Sequence, residues 1–265
     1  MTVPAITAQT GGARAAYEYW LIVYRRTWRG SVVTSLLSPV MFLAAMGVGL
    51  GSLIDSHHGD VAGVRYAVYL APGLLAASVM QTMVGESTWP VLGSIKWAKT
   101  YLAMLATPLT VRDIVLGHFA YITTRAFVVC ASFTIVTAAL GLAHSAGGAV
   151  LAMLAGVLVG TAFAAPTMAF SASRKRETGF VMLYRFGIIP LFLFSGTFFP
   201  ISQLPAVLQP IAWITPLWHG VALCRDLALS RGSAVVILGH AAYLLALTIV
   251  GVVVAQRVYA RRLRW

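Results

Sequence analysis

The chain has 265 residues, of which 59% are hydrophobic and 10% charged, and it carries a formal net charge of +12. With a mean hydropathy of +0.84, it holds far more apolar material than one soluble core encloses, which excludes an ordinary water-soluble domain. Its basic residues sit at the ends of apolar runs without an aromatic stacking platform, so the positive charge does not point to nucleic acid.

In chain order, residues 15–29 carry Tyr17, Trp20, Leu21, Tyr24 and Trp28 at i, i+3, i+4, i+7 spacing, with Glu18, Arg25 and Arg26 elsewhere on the wheel. That pattern predicts an amphipathic helix lying along a membrane surface. The apolar run behind it is too long for the core of a cleavable signal, so no leader is expected. A bilayer crossing takes roughly 20 residues, and spans are predicted at 31–54, 66–87, 114–141 and 147–172. Gly47/Gly51 and Gly156/Gly160 are small-xxx-small pairs, which suit packing inside the chain as well as a dimer face.

Between the second and third spans lies Ile95-Lys-Trp-Ala-Lys-Thr-Tyr-Leu-Ala-Met-Leu-Ala-Thr-Pro-Leu-Thr-Val-Arg-Asp113, a sizeable polar-flanked insert. Trp97, Tyr101, Met104 and Leu105 share one helical face, and Lys96 and Lys99 lie on another, which predicts a short amphipathic helix over 95–108. Pro108 ends it by disfavouring helical geometry at Thr107, and Thr110 with Asp113 forms a capping-box start for the next helix. By these features alone the insert is either a solvated connection or a docking element.

Farther on, the charge-poor run 186–224 contains Pro190, Pro200, Pro205, Pro210 and Pro216, too many for one continuous helix. It divides into a fifth span at 178–198 and a broken segment at 200–224 that dips back into the membrane, with a sixth span at 234–256. Basic residues concentrate on one side: Arg14, Arg25, Arg26 and Arg29; Lys96, Lys99 and Arg112; Arg174, Lys175 and Arg176; Arg257, Arg261, Arg262 and Arg264. The other side has Arg65, Arg225 and Arg231 beside Asp55, Asp60 and Asp226. Positive charge is retained in the cytoplasm, so the expected fold is an all-α integral membrane protein of six spans with both termini cytoplasmic.

Lys99-Thr-Tyr-Leu-Ala-Met-Leu-Ala-Thr-Pro-Leu-Thr, followed by Asp113-Ile-Val, Gly117 and Arg125, resembles the cytoplasmic loop of the type-2 ABC exporter permeases (ABC-2 type), a group that includes the nodulation-factor and daunorubicin-resistance permeases. Ser195-Gly-Thr-Phe-Phe-Pro200, with Leu204-Pro205 and Pro216, is similar to that family's fifth helix running into re-entrant outer helices. His118 departs from the pattern, since an acidic residue is common there in the nodulation-factor branch. The resemblance implies a coupling helix that docks on a separate ABC ATPase subunit through Lys96, Lys99, Thr100, Tyr101, Met104, Leu105, Thr107 and Pro108. It implies that 15–29 is the connecting helix packed near that loop, and that Phe198 and Phe199 close the outer end of a central pathway. It further implies a half-transporter in the bacterial inner membrane, paired with a second copy or a homologue, with ATP and Mg on the partner subunit and no cofactor on this chain.

Other candidates come from the residues themselves. Glu86, near the end of the second span, is costly facing lipid and needs a partner, for which Arg125 and Arg185 lie at suitable depth. Met80, Met83, Phe192 and Phe194 suit an adaptable apolar lining. Asp55, His57, His58 and Asp60 read as a short polar loop before a metal site, Cys130 and Cys224 as buried thiols, and His118, His219 and His240 as isolated. Each of the three lysines follows Ile95, Ala98 or Arg174, so the glycine-lysine core of a P-loop is missing. An ion-coupled secondary transporter would call for inverted repeats and mid-membrane acids, and a membrane-embedded transferase for a convergent acid, base or metal cluster. Neither pattern is evident, and the expected function is export of an amphipathic or hydrophobic substrate such as a drug, lipid or glycolipid.

Overall fold

The computed structural model describes residues 11–51 and 63–263, whose regular elements are all helical. Helix α1 (Gly12–Leu43) runs on into a π-helical stretch at Ala44–Leu50. The expected boundary between a surface helix at 15–29 and a span starting at 31 is absent. Gly30 is the weak point between the two, and one glycine inside a helix costs only about 1 kcal/mol.

Helix α2 (Tyr66–Lys96) extends past the expected end at 87 and contains Pro72 and Pro90. Near Pro90 the hydroxyls of Thr88 and Ser94 bond back to the Gly85 and Pro90 carbonyls, the kind of side-chain support that keeps proline tolerable in membrane helices. Lys99 then adopts a left-handed conformation with φ 51°, so the helix predicted over 95–108 shrinks to α3 (Thr100–Leu105). Helix α4 (Val111–Ala139) begins with the predicted capping box. Thr110 Oγ1 accepts from the Asp113 N–H at 3.2 Å, and the Asp113 carboxylate accepts from the Thr110 N–H at 3.0 Å. Helix α5 (Ala146–Ser173) follows.

The expected fifth span is a composite of α6 (Thr178–Leu183), a π-helical turn (Tyr184–Ile188) and α7 (Ile189–Phe194), and it stops short of residue 198. Pro190 brings no N–H and crowds the turn before it, which a widened turn relieves. Beyond the turn at Gly196, with φ 77°, come a 3-10 turn at Ile201–Gln203, α8 (Gln209–Ile214) and α9 (Pro216–Ala228). Pro210 and Pro216 fall in the first turns of these helices, where a missing N–H is harmless. Helix α10 (Ala234–Arg262) completes the described chain.

Among the described residues four helices, α2, α4, α5 and α10, are long and apolar enough to cross a membrane, which makes this a multi-pass membrane protein. Helix α5 is the hub, with α2, α4, α9 and α10 all packed on it. A Cβ on Gly156 would lie 2.9 Å from Cys130 Sγ, and one on Gly160 would lie 3.0 Å from Met83 Cγ. These glycines therefore serve packing within the chain. The approach they permit buries Met80 and Met83 completely, so these two side chains line no opening in this structure. Cys130 and Cys224 are free and buried, as expected.

Candidate functional site

Two polar centres stand at opposite ends of the bundle. At the α3 end, Tyr101 points inward and is fully buried. Its hydroxyl shares a 2.6 Å hydrogen bond with His118 Nδ1 on α4, and burial pushes the phenol well above its ordinary titration range, keeping it protonated. Trp20 of α1 stacks on His118 with ring centroids 4.1 Å apart, and Tyr259 of α10 lies 5.5 Å from the Tyr101 ring. Four helices thus meet at one tyrosine. The N-terminal part of α1 reaches it because Gly117 has no side chain: a Cβ there would fall 2.6 Å from the Ala13 carbonyl. Tyr17 adds a 3.1 Å bond to Thr124. The aromatic stripe of residues 15–29 is therefore largely covered by α4, with Trp28 left exposed.

The remainder of the insert faces outward. Lys96, Trp97, Ala98, Lys99, Ala103, Ala106, Thr107 and Pro108 are exposed, while Thr100 and Leu105 are half-buried. Tyr101 and Met104 are buried, and Trp97, expected on their face, lies in the turn before α3 and is 57% exposed. The left-handed Lys99 causes the difference, since it takes Trp97 out of the helical register. Lys96 Nζ meets Glu177 Oε1 at 2.7 Å and ties the insert to the connection between α5 and α6. This bond holds the Glu177 carboxyl below its ordinary range.

Glu86 finds the expected partner in Arg125. The Nη2 and Nε of Arg125 donate to Glu86 Oε1 at 2.9 and 3.2 Å, and its guanidinium carbon lies 4.4 Å from the Tyr24 ring centroid. Arg185 does not join them: it is exposed on the π-helical turn, and the ion pairs among the described residues do not include it.

At the other end, the turn after α7 carries Phe198. Its ring lies 5.1 Å from Phe192 and 5.7 Å from Phe42 of α1. Its carbonyl accepts from Tyr66 Oη at 3.1 Å. Phe199 faces elsewhere, against Ile201, Leu204 and Ala212, so the two adjacent rings expected to act together are split. Phe194 is 46% exposed and borders an apolar cavity of about 300 Å³ with Phe186, Pro190, Leu191, Leu208 and Ile211.

Residues 17–229 match the family model described as ABC-2 type transporter. The chain belongs to this family. It is 34% identical to Nodulation protein J of Rhizobium leguminosarum bv. viciae over 255 residues, covering 92% of this chain and 95% of the relative. Identity is 33% over 238 residues to the protein of the same name in Rhizobium leguminosarum bv. trifolii, covering 87% of each. It is 22% to the inner membrane transport permease YadH of Escherichia coli, covering 75% of each.

The ABC-2 frame leaves several contacts that sequence reasoning missed. His219 and His240, expected to be isolated, approach with Nδ1 atoms 2.8 Å apart across α9 and α10. Phe42 and Tyr66 carried no signal, because their partners lie more than 130 positions away. Arg225 entered only as a charge on the outer side, yet it is bonded inside the fold. Asp55, His57, His58 and Asp60 lie outside the described residues, as do Arg264 and the Arg29 side chain. Among the described residues no group of three or more His, Cys, Asp or Glu is placed to hold a metal.

Proposed function

We propose that this ABC-2 chain is the membrane-spanning permease subunit of an ATP-driven exporter in a bacterial inner membrane. It uses six spans, α1 and the composite α6–α7 joining the four long helices, with both termini in the cytoplasm. The observation that carries the reading is the α3 segment: its outer surface is exposed, while on its inner surface Tyr101 is hydrogen-bonded to α4 and packs its ring against α1 and α10. A push on that surface reaches three helices, α4 through a hydrogen bond and α1 and α10 through ring packing, as a coupling element requires. The partner is an ABC ATPase subunit that holds ATP and Mg and docks on Lys96, Lys99, Thr100, Leu105, Thr107 and Pro108, together with the exposed Trp97, Ala103 and Ala106. Tyr101 and Met104 transmit the movement from the inner side, and this chain contributes no nucleotide site.

Dimerisation with a second copy or a homologue is supported by Arg185, exposed within α6–α7 beside Val181, Met182 and Phe186. An arginine on a lipid-facing apolar surface is costly, and a neighbouring protein supplies cover. The substrate is amphipathic and lipid-like, a lipid or glycolipid; the Rhizobium relatives are named for nodulation, and that name specifies no substrate. Ala103→Asp and Thr107→Asp should abolish co-purification with the ATPase subunit while the permease remains inserted. Intact complexes with normal transport in both variants would refute the docking surface.

A further inference from the structure

The turn that carries Phe198 is held from outside itself. Residues 195–199 lack a repeating backbone ladder, and three consecutive carbonyls are taken by side chains of other helices. Arg225 of α9 donates from Nη2 to the Gly196 and Thr197 carbonyls at 3.0 and 3.4 Å, and Tyr66 of α2 donates to that of Phe198 at 3.1 Å. The Nε of Arg225 donates to the Tyr69 carbonyl at 3.3 Å, and its guanidinium carbon sits 3.8 Å from the Tyr69 ring centroid. Among the described residues no carboxylate lies within ion-pair distance of it. A half-buried cation thus directs its donors at carbonyls of one turn and one helix. Charged donors make such bonds stronger than neutral ones, and the ring adds a cation–π contact. The fit is tight, because a Cβ on Gly73 would lie 2.9 Å from both Arg225 Nη2 and the Thr197 carbonyl.

We propose that Arg225 is the latch of the outer end, a positioning residue that acts through Phe198. While its guanidinium spans α2 and the 196–197 carbonyls, the turn stays against α2 and the Phe198 ring stays on Phe42 and Phe192. The turn leaves α2 only when those bonds break, so unlatching and opening are one event. This rests on the reading of Phe198 as the outer closure.

The latch is tested in proteoliposomes holding the permease and its ATPase subunit, with Cys130 and Cys224 replaced and Thr197→Cys as probe. Thr197 is fully buried, and cysteine, which lacks its γ-methyl, fits the same space. An impermeant maleimide should label it slowly without nucleotide and faster after trapping with ATP and vanadate. Arg225→Gln should raise the nucleotide-free rate by about tenfold, equivalent to ~1.4 kcal/mol, and remove its dependence on nucleotide. Gly73→Ala, which keeps the charge and crowds the contact, should do the same, and Arg225→Lys should restore part of the dependence. A merely structural role would lower yield or melting temperature and leave the nucleotide dependence of the surviving complex intact. Retained dependence in both Arg225→Gln and Gly73→Ala would overturn the latch. The closure reading fails separately, if Phe198→Ala leaves the ratio of transport to ATP hydrolysis normal.

Discussion

The Glu86–Arg125 pair allows a worked prediction. Arg125 is 1% exposed, whereas the Glu86 side chain keeps 22% of its surface open, so the two single substitutions are unequal. Glu86→Gln leaves a buried guanidinium without its counter-charge, a change that costs about 3 kcal/mol or more. Arg125→Met leaves a carboxylate that draws on water at its open edge, costing about 1–2 kcal/mol. The double variant Glu86→Gln/Arg125→Met carries no stranded charge and should fall within about 1 kcal/mol of the parent, as buried pairs replaced by apolar groups often do. At roughly 2–4 °C per kcal/mol for a chain of this size, Glu86→Gln should melt about 6–12 °C lower in nanodiscs, with most of the loss recovered in the double variant. Losses that simply add, with the double variant the least stable, would refute the assignment of these residues as one coupled unit.

Phe198→Ala should raise basal ATP hydrolysis and lower transport per ATP, because it empties the site between Phe42 and Phe192, while Phe199→Ala, packed on Ile201 and Leu204, should cost stability and leave coupling normal; equal uncoupling by both would contradict the split seen in the structure. Gly117→Leu should detach the N-terminal part of α1 from α4, seen as faster proteolysis of that part in the folded protein, and unchanged protection would show that the close approach at Ala13 is not required. In a cysteine-free background, His144→Cys should react with an impermeant thiol reagent in whole cells and Lys175→Cys should not, and the reverse pattern would invert the topology.

Much of the fold could be read in the sequence because its signals are local. The four long helices are built around apolar runs long enough to cross a bilayer, and the start of α4 follows from Thr110 and Asp113 three positions apart. The pairing of Glu86 with Arg125 was also foreseeable, since a carboxylate at that depth requires a counter-charge. Where reading failed, the controlling contact was remote or the backbone unusual. A single left-handed residue, Lys99, turned Trp97 out of the face it shared on a helical wheel with Tyr101. Periodicity marked Tyr101 and Met104 as an apolar face and did not say that α1, α4 and α10 would cover it. Pro190 announced a disturbance in the fifth span, but not that a widened turn would absorb it. Phe198 and Phe199 looked alike because adjacency says nothing about which neighbours each ring meets, and Arg225 looked like a surface charge because its carbonyl partners are drawn from turns and helices far along the chain.

The most direct test of the central claim is photo-crosslinking from the α3 segment in the intact complex, with the photoreactive residue placed in turn at Ala103 and Thr107, which face outward, and at Met104, which faces the bundle. The account predicts crosslinks to the ATP-hydrolysing subunit from Ala103 and Thr107, stronger when ATP and vanadate trap the complex, and crosslinks only within the permease from Met104. A transport-competent complex in which neither outward position reaches the ATPase subunit would contradict it.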